Sequence, residues 1–165
     1  MRKLDLREDW GNYLKEATDE ELAEAALLLH SFKRKRNGDY STFVGALFGM
    51  ERDFDEENGT LTLTVQNSTL LNNSIGILHG GLTATILDST MGTLANNSLP
   101  DDKAVVTTEM KVNFLKPGIG DAFRCVANII HKGSKIIVVE GKVFSENHKL
   151  IAHSTGSFFI INRKR

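Results

Sequence analysis

The stretch IGILHGGLTATILDSTMGTLANNSLP, residues 75–100, decides the fold of this chain. Its only carboxylate is Asp88, in a run of Leu, Ile, Ala, Thr and Gly that predicts a helix over residues 79–96. A helix without charge on any face is normally buried, and a buried carboxylate is costly unless something compensates it. Asp88 is therefore either held structurally or kept for chemistry, and perturbed carboxylates in clefts favour chemistry.

The predicted start of this helix is itself chemically useful. Its first N–H groups have no partner within the helix and carry partial positive charge. Gly80 and Gly81 lack Cβ, so a substrate carbonyl can approach the backbone closely. The segment His79-Gly80-Gly81 fits an oxyanion site, and it fits a tight entry turn equally well.

The spacing between His79 and Asp88 sets a limit on the site. Nine residues at about 100° each place the two side chains on opposite faces of the helix, about 13 Å apart along its axis. One chain's pair therefore cannot converge on one substrate atom. If both residues act in one reaction they come from two chains, and a two-fold dimer supplies two such sites.

The first forty residues predict helices. A capping box at Thr18 and Glu21 predicts a helix start, and the segment 8–37 reads as helical up to Asn37-Gly38. The basic run Lys33–Arg36 suits a helix C-terminus in water, or else an acidic or phosphate-bearing partner. The apolar segment 40–50 predicts a loop or a short helix.

The remaining chain predicts a sheet. Glu57-Asn58-Gly59 is a hairpin turn, and residues 61–65 alternate as a strand with one buried face. Four further strands are predicted over residues 104–115, 122–130, 136–144 and 150–161. Their short connections lead us to expect antiparallel neighbours. The predicted fold class is α+β. Residues 1–40 are predicted to form an N-terminal helical extension, and residues 41–165 an antiparallel sheet curled around a long central helix.

Composition narrows the classes of function. The formal net charge of −1 gives no field that would attract nucleic acid or an anionic membrane. The segment 75–100 contains too many polar residues to cross a bilayer. The segment Met1–Glu8 lacks an apolar signal core, and Cys125 alone makes no intramolecular disulfide, so we expect a cytoplasmic protein without a membrane partner.

Several motifs together resemble one family. The segment Asn73–Leu82 (NSIGILHGGL) followed by Asp88 resembles the hotdog-fold acyl-CoA thioesterases of the PaaI-like type, in the 4-hydroxybenzoyl-CoA thioesterase superfamily. The segments 106–110 (VTTEM), 113–118 (NFLKPG) and 150–155 (LIAHST) match its later strands. The resemblance covers about residues 43–162 and implies a hotdog sheet, homodimers with a continuous sheet that often pair into homotetramers, and thioester hydrolysis without a metal.

The resemblance also implies roles for single residues. Asp88 would be the nucleophile or the general base, and the Gly80 N–H would polarise the thioester carbonyl. Asn73 would help to place the attacking water or the carboxylate, and His79 would orient the carbonyl or the helix start. Thr107 stands where related enzymes carry a Ser or Thr that positions water.

Substrate contacts are predicted less sharply. Coenzyme A, part of the substrate and not a cofactor, carries phosphates that the turn Lys132-Gly133-Ser134-Lys135 could hold, although a solvated hairpin turn fits equally well. Gly81 and Asn113 are further candidate contacts. The candidate acyl-binding side chains, any of which could instead be plain core, are Val44, Leu47, Phe48, Met91, Leu94 and Phe114.

Two other functions compete with thioester hydrolysis. A non-catalytic acyl-CoA or lipid sensor would use the same fold, although a binding site gains little from a buried acid. A hotdog dehydratase or hydratase is disfavoured, since no His–Asp or His–Glu pair has the arrangement those enzymes use. His131, His148 and His153 show no metal-ligand spacing with Cys125 and predict surface or strand positions.

Overall fold

A computed structural model describes residues 5–163. Part of the segment Met1–Glu8, on which the expected localisation rests, lies outside the described residues. The chain divides into two compact units after Gly49. The predicted boundary lay after residue 40, before the short helix that packs on its predecessor in the first unit.

Three helices form the first unit: α1 Leu6–Glu16, α2 Asp19–Asn37 and α3 Phe43–Phe48. The predicted capping box is confirmed, since the Glu21 N–H donates to Thr18 Oγ1 at 3.3 Å and the Thr18 N–H donates to Glu21 Oε2 at 2.8 Å. Because these two hydrogen bonds cap the start of α2, the segment 8–37, predicted as helical, forms two helices that are separated at Ala17. Gly38, at φ 88°, ends α2 as predicted.

The second unit is a six-stranded antiparallel sheet with one long helix. Its elements are β1 Glu51–Asp55, β2 Thr60–Gln66, α4 Gly80–Asn97, β3 Lys103–Phe114, β4 Ala122–Lys132, β5 Ile136–Ser145 and β6 Leu150–Asn162. The strand order is β1-β2-β4-β5-β6-β3, and β2 to β6 all contact α4. The predicted hotdog class, a sheet around a central helix with helices before it, is confirmed.

The core lies between α4 and the facing side of the sheet. Alternate residues of β2 and β5, such as Leu63 and Val139, are fully buried. Gly141 of β5 allows a close approach, because a Cβ there would lie 3.0 Å from side-chain atoms of Leu87 and Met91. This tight packing fixes the rotation of α4 about its axis.

One topological prediction is wrong. β4, β5 and β6 are antiparallel neighbours as expected, but β3 pairs with β6 at the sheet's end and not with β4. The connection 115–121 crosses below the start of α4, where the Gly118 carbonyl accepts from the Leu78 N–H at 2.9 Å. Three strand spacings amount to about 14 Å, and seven extended residues reach up to about 24 Å, so a short connection does not require adjacency.

Cys125 and His153 take structural positions. Cys125 is fully buried, and burial raises the pKa of its thiol to about 12. His153 lies on β6, where its Nε2 is 2.8 Å from Glu140 Oε1, and Lys142 Nζ donates to Glu140 Oε2 at 2.7 Å.

Across residues 5–163, no helix is both long and apolar enough to span a membrane.

The cluster of Glu140, Lys142 and His153 predicts a pH-dependent contribution to stability. Hydrogen bonds from Lys142 and then His153 lower the pKa of Glu140 below its ordinary value of 4.5. A lowered folded-state pKa stabilises the protein above the unfolded value, and this stabilisation is lost as the pH falls through the folded value. Glu140→Gln should therefore lower Tm at pH 7, and by less as the pH falls below about 4.5.

Thermal melts at several pH values measure this difference. Glu56→Gln, at an exposed carboxylate in the turn between β1 and β2, serves as the matched control and should change Tm little. A Tm difference for Glu140→Gln that stays constant from pH 7 to pH 3.5 would contradict the assignment.

Candidate active site

Asp88 lies midway along α4 and is held by one hydrogen bond. Thr107 Oγ1 on β3 donates to Asp88 Oδ1 at 2.8 Å. Within a single chain Asp88 is only partly buried, so the prediction of full burial is not met. The sheet covers the other side of the helix, where the buried residues are Thr83, Ile86, Leu87, Thr90, Met91, Leu94 and Ala95.

The position of Thr107 follows from strand register. Thr107 is opposite Phe158 of β6, whose fully buried side chain faces α4, and directly paired residues project to the same face of a sheet. The register shifts between Thr107 and Glu109, which marks a β-bulge. Bulges re-aim side chains and often lie beside active sites. The far edge of β3 pairs with no other strand in the described part of the chain.

His79 caps the start of α4. Its backbone is extended, at φ −63° and ψ 133°, and its Nδ1 accepts from the Gly81 N–H at 2.9 Å. A neutral ring that accepts at Nδ1 carries its proton on Nε2, which leaves an outward donor on this exposed side chain. A Cβ on Gly81 would lie 3.3 Å from His79 Nδ1, so the second glycine gives space to the capping ring.

Gly80 is a free donor at the helix start. Within residues 5–163 no protein atom accepts from its N–H. A Cβ at this position would meet only the Phe114 ring, at 3.6 Å, which is an ordinary contact. The Gly80 N–H therefore lacks a hydrogen-bond partner and carries partial positive charge. A site that binds a substrate oxygen requires both properties.

A cavity of about 390 Å³ opens beside this donor. Asn73, Gly80, Phe114 and Lys116 are among its lining residues. Asn73 Oδ1 accepts from the Ile75 and Ile77 N–H groups, at 3.0 and 3.3 Å, and so holds the turn that leads into the helix. Its side-chain amide N–H groups make no hydrogen bond within residues 5–163, which leaves them to act as donors at the cavity.

The carboxylate and the helix start are separated in one chain, as the spacing predicts. Asp88 does not line the cavity of Gly80. Gly80 begins α4, so Asp88 lies about 12 Å farther along the axis and about 80° around it. Thus the structure joins Asp88 to Thr107 and Asn73 to Gly80, as two separate halves.

The other predicted substrate contacts lie elsewhere. Lys132 Nζ donates to the Ser98 carbonyl, and the Gly133 N–H donates to the Ile136 carbonyl at 2.8 Å. The turn that continues through Ser134 and Lys135 therefore lies at the C-terminal end of α4, about 27 Å along the axis from Gly80. Asn113 is paired with His153, on the sheet face turned away from α4.

The candidate acyl-binding residues separate similarly. Phe114 lines the Gly80 cavity and is 58% exposed. Met91 and Leu94 are buried in the core under the sheet, while residues 44, 47 and 48 belong to the first unit.

Sequence reasoning missed the loop 115–119, which it treated only as a turn. The signal was its Lys-Pro-Gly sequence close to the apolar Phe114.

Comparison with known proteins identifies the family. The model of the thioesterase superfamily matches residues 75–152. A Bacillus halodurans protein crystallised with CoA is 34% identical, with a TM-score of 0.84 over 94% of this chain and 100% of that one. The chain belongs to the thioesterase superfamily.

Curated relatives of this thioesterase-superfamily chain match over shorter lengths. A Saccharolobus solfataricus protein provisionally named an esterase is 38% identical over 89 residues, 54% of this chain and 63% of that protein. The medium/long-chain acyl-CoA thioesterase YigI of Escherichia coli is 25% identical over 126 residues, 68% of this chain and 81% of YigI. The chain thus spans less than two thirds of the first of these relatives.

Proposed function

We propose that this chain hydrolyses acyl-CoA thioesters to a free acid and CoA, at a site shared by two subunits. The observation that carries the proposal is the single carboxylate of α4, partly exposed and hydrogen-bonded to Thr107 at 2.8 Å. No hydrogen bond within residues 5–163 engages the second oxygen of this carboxylate, so that oxygen is available for chemistry.

The two halves of the site come together in a two-fold dimer. β3 has a free edge of twelve residues and carries Thr107, so a second β3 pairing along it would bury the Asp88 face of α4. The partner subunit would then supply a free helix N-terminus opposite Asp88. Full burial, which the sequence predicts and one chain lacks, is reached by this assembly.

The reaction needs only these groups. Asp88 takes a proton from water, the resulting hydroxide attacks the thioester carbon, and the oxyanion accepts from the Gly80 N–H. The carbon–sulfur bond breaks, and the thiolate of CoA leaves and takes up the proton. Direct attack by Asp88 would instead expel the thiolate of CoA and form a mixed anhydride, which water then cleaves. In H₂¹⁸O, a single turnover labels the Asp88 carboxylate only by this second route, when water attacks the aspartyl carbon.

Turnover of a panel of acyl-CoAs tests the proposal. Purified protein should release free thiol and acid from at least one chain-length class, with a mass consistent with hydrolysis. Tight acyl-CoA binding without thiol release across the panel would contradict hydrolysis and favour a sensor.

Thr107 should act as a positioning residue through its hydroxyl. Thr107→Val removes the hydrogen bond to Asp88 at nearly constant volume, and we expect kcat to fall about tenfold with KM little changed. Thr107→Ser keeps the donor and should retain most of the activity. Equal losses in both variants, or a change in KM alone, would show that the methyl group or the packing matters instead.

A further inference from the structure

A second cavity, of about 290 Å³, adjoins the one beside Gly80. The two share Lys116, Pro117 and Ile151 as a common wall. The polar lining of the second cavity comes from Lys116, Lys149, Ser145 and Asn147, and no carboxylate of the described residues lines it. A ligand that reaches Gly80 along this wall would therefore meet two ammonium groups beyond it.

Both lysines are free to bind an anion. Among residues 5–163, the recorded salt bridges involve Glu140 with Lys142 and His153, and neither Lys116 nor Lys149 takes part. Glu146 lies in the same hairpin, but its carboxylate approaches Gly120 instead, 3.3 Å from where a Cβ would be. The local charge facing the cavity is positive.

Ser145 points to the same conclusion. It is 5% exposed, and in the described part of the chain its Oγ is buried without a hydrogen-bond partner. Its backbone is fixed, since its N–H donates to the Lys149 carbonyl at 3.0 Å and its carbonyl accepts from the His148 N–H at 2.9 Å. Only rotation of the hydroxyl remains, and a buried hydroxyl without a partner indicates a missing acceptor or water.

We propose that Lys116, Lys149 and Ser145 form a phosphate-binding subsite for the phosphate-bearing end of the thioester carrier. The subsite lies on the chain that supplies Gly80, and it replaces the turn 132–135 as the phosphate contact of that half-site. The assignment rests on the proposed function for its substrate. A pantetheine-linked phosphate occurs both in CoA and in the prosthetic arm of an acyl carrier protein, and the cationic pair binds this shared group.

Ligand binding to the full-length protein tests the subsite without relying on turnover. Lys116→Gln/Lys149→Gln should weaken CoA binding about 10–100-fold in calorimetry, while pantetheine, which lacks phosphate, should bind as before. The steep salt dependence of CoA binding should flatten in the same variant. Lys15→Gln/Lys33→Gln removes the same charge at exposed positions of α1 and α2 and should leave both ligands unaffected.

Other variants complete the test. Ser145→Ala should weaken CoA binding without lowering Tm, because the hydroxyl has no partner to lose in the free protein. Unchanged CoA affinity in Lys116→Gln/Lys149→Gln would overturn the subsite, and so would an equal loss for pantetheine. A loss in Lys132→Gln/Lys135→Gln alone would restore the turn 132–135 as the phosphate contact.

The outcome separates this subsite from the proposed function. If no acyl-CoA is hydrolysed but CoA binding depends on Lys116 and Lys149, hydrolysis fails and the subsite stands. Comparing an acyl-CoA with the same acyl group on an acyl carrier protein identifies the carrier, because the charge variant should weaken whichever thioester the wild type prefers.

Discussion

Asp88→Asn should lower kcat for acyl-CoA hydrolysis by about 10²–10⁴-fold, because an amide neither accepts the proton of water nor attacks a thioester. KM should change little, since the carboxylate acts on the reacting atoms. Thiol release measured under saturating substrate gives kcat directly. This is the largest single effect that we expect.

The substitution is nearly isosteric, which separates chemistry from folding. In the wild type Thr107 Oγ1 donates to Asp88 Oδ1 at 2.8 Å, and the amide oxygen of the variant can still accept this hydrogen bond. Tm and oligomeric state should therefore match the wild type. A variant that folds normally and retains full kcat would refute the role of Asp88. Asp101→Asn, in the exposed turn after α4, provides a control for the same chemical change.

Gly80→Pro should lower kcat by about 10²–10³-fold, because it deletes the N–H that we assign to the oxyanion. Proline is well tolerated at the first helical position, and Gly80 is the first residue of α4. His79, at ψ 133°, already has the extended backbone that a residue before proline prefers. The helix should therefore begin as before.

Gly80→Ala is the matched control for the N–H. It retains the donor and adds a Cβ that would meet the Phe114 ring at 3.6 Å, an ordinary contact. We expect it to keep most of the activity. Equal losses in the alanine and proline variants would show that space at Gly80, and not its N–H, limits the reaction.

Mixing the two inactive variants tests whether the site is shared. In a two-fold dimer, a heterodimer of Asp88→Asn and Gly80→Pro chains has one intact site, so unfolding and refolding an equimolar mixture should restore about 25% of wild-type activity. If each chain held a complete site, every site in the mixture would lack one group. A mixture as inactive as its parents, with heterodimers verified by mass, would rule out the shared site.

The local patterns of this chain predicted its caps, turns and helix starts, but not the order of the strands in its sheet. The capping box at Thr18 and Glu21, the Asn58-Gly59 turn and the helix beginning at Gly80 all depend on residues within one turn of each other. Such signals act at short range, so they depend little on how the sheet is ordered. The separation of Asp88 from His79 at the helix start followed from helix geometry alone.

Strand neighbours and faces were decided by the tertiary structure. β3 pairs with β6 because the connection after it is long enough to cross two strands, and nothing local to residues 115–121 specifies the partner. That pairing puts Thr107 against Asp88 and turns Asn113 to the opposite face. A shift of one residue would exchange these faces, which is why strand patterns alone could not assign them.

The sequence by itself determined an acid on an uncharged helix that begins at two glycines. Only the folded chain decided what surrounds each end. It gave Asp88 a hydroxyl partner from the edge strand and left the Gly80 N–H unpaired within the described residues. It also brought Lys116, Ser145 and Lys149 together from the connection after β3 and the hairpin between β5 and β6. The physical reason is range: caps and helical spacing depend on neighbours in the chain, whereas these contacts depend on sheet pairing between residues far apart in sequence.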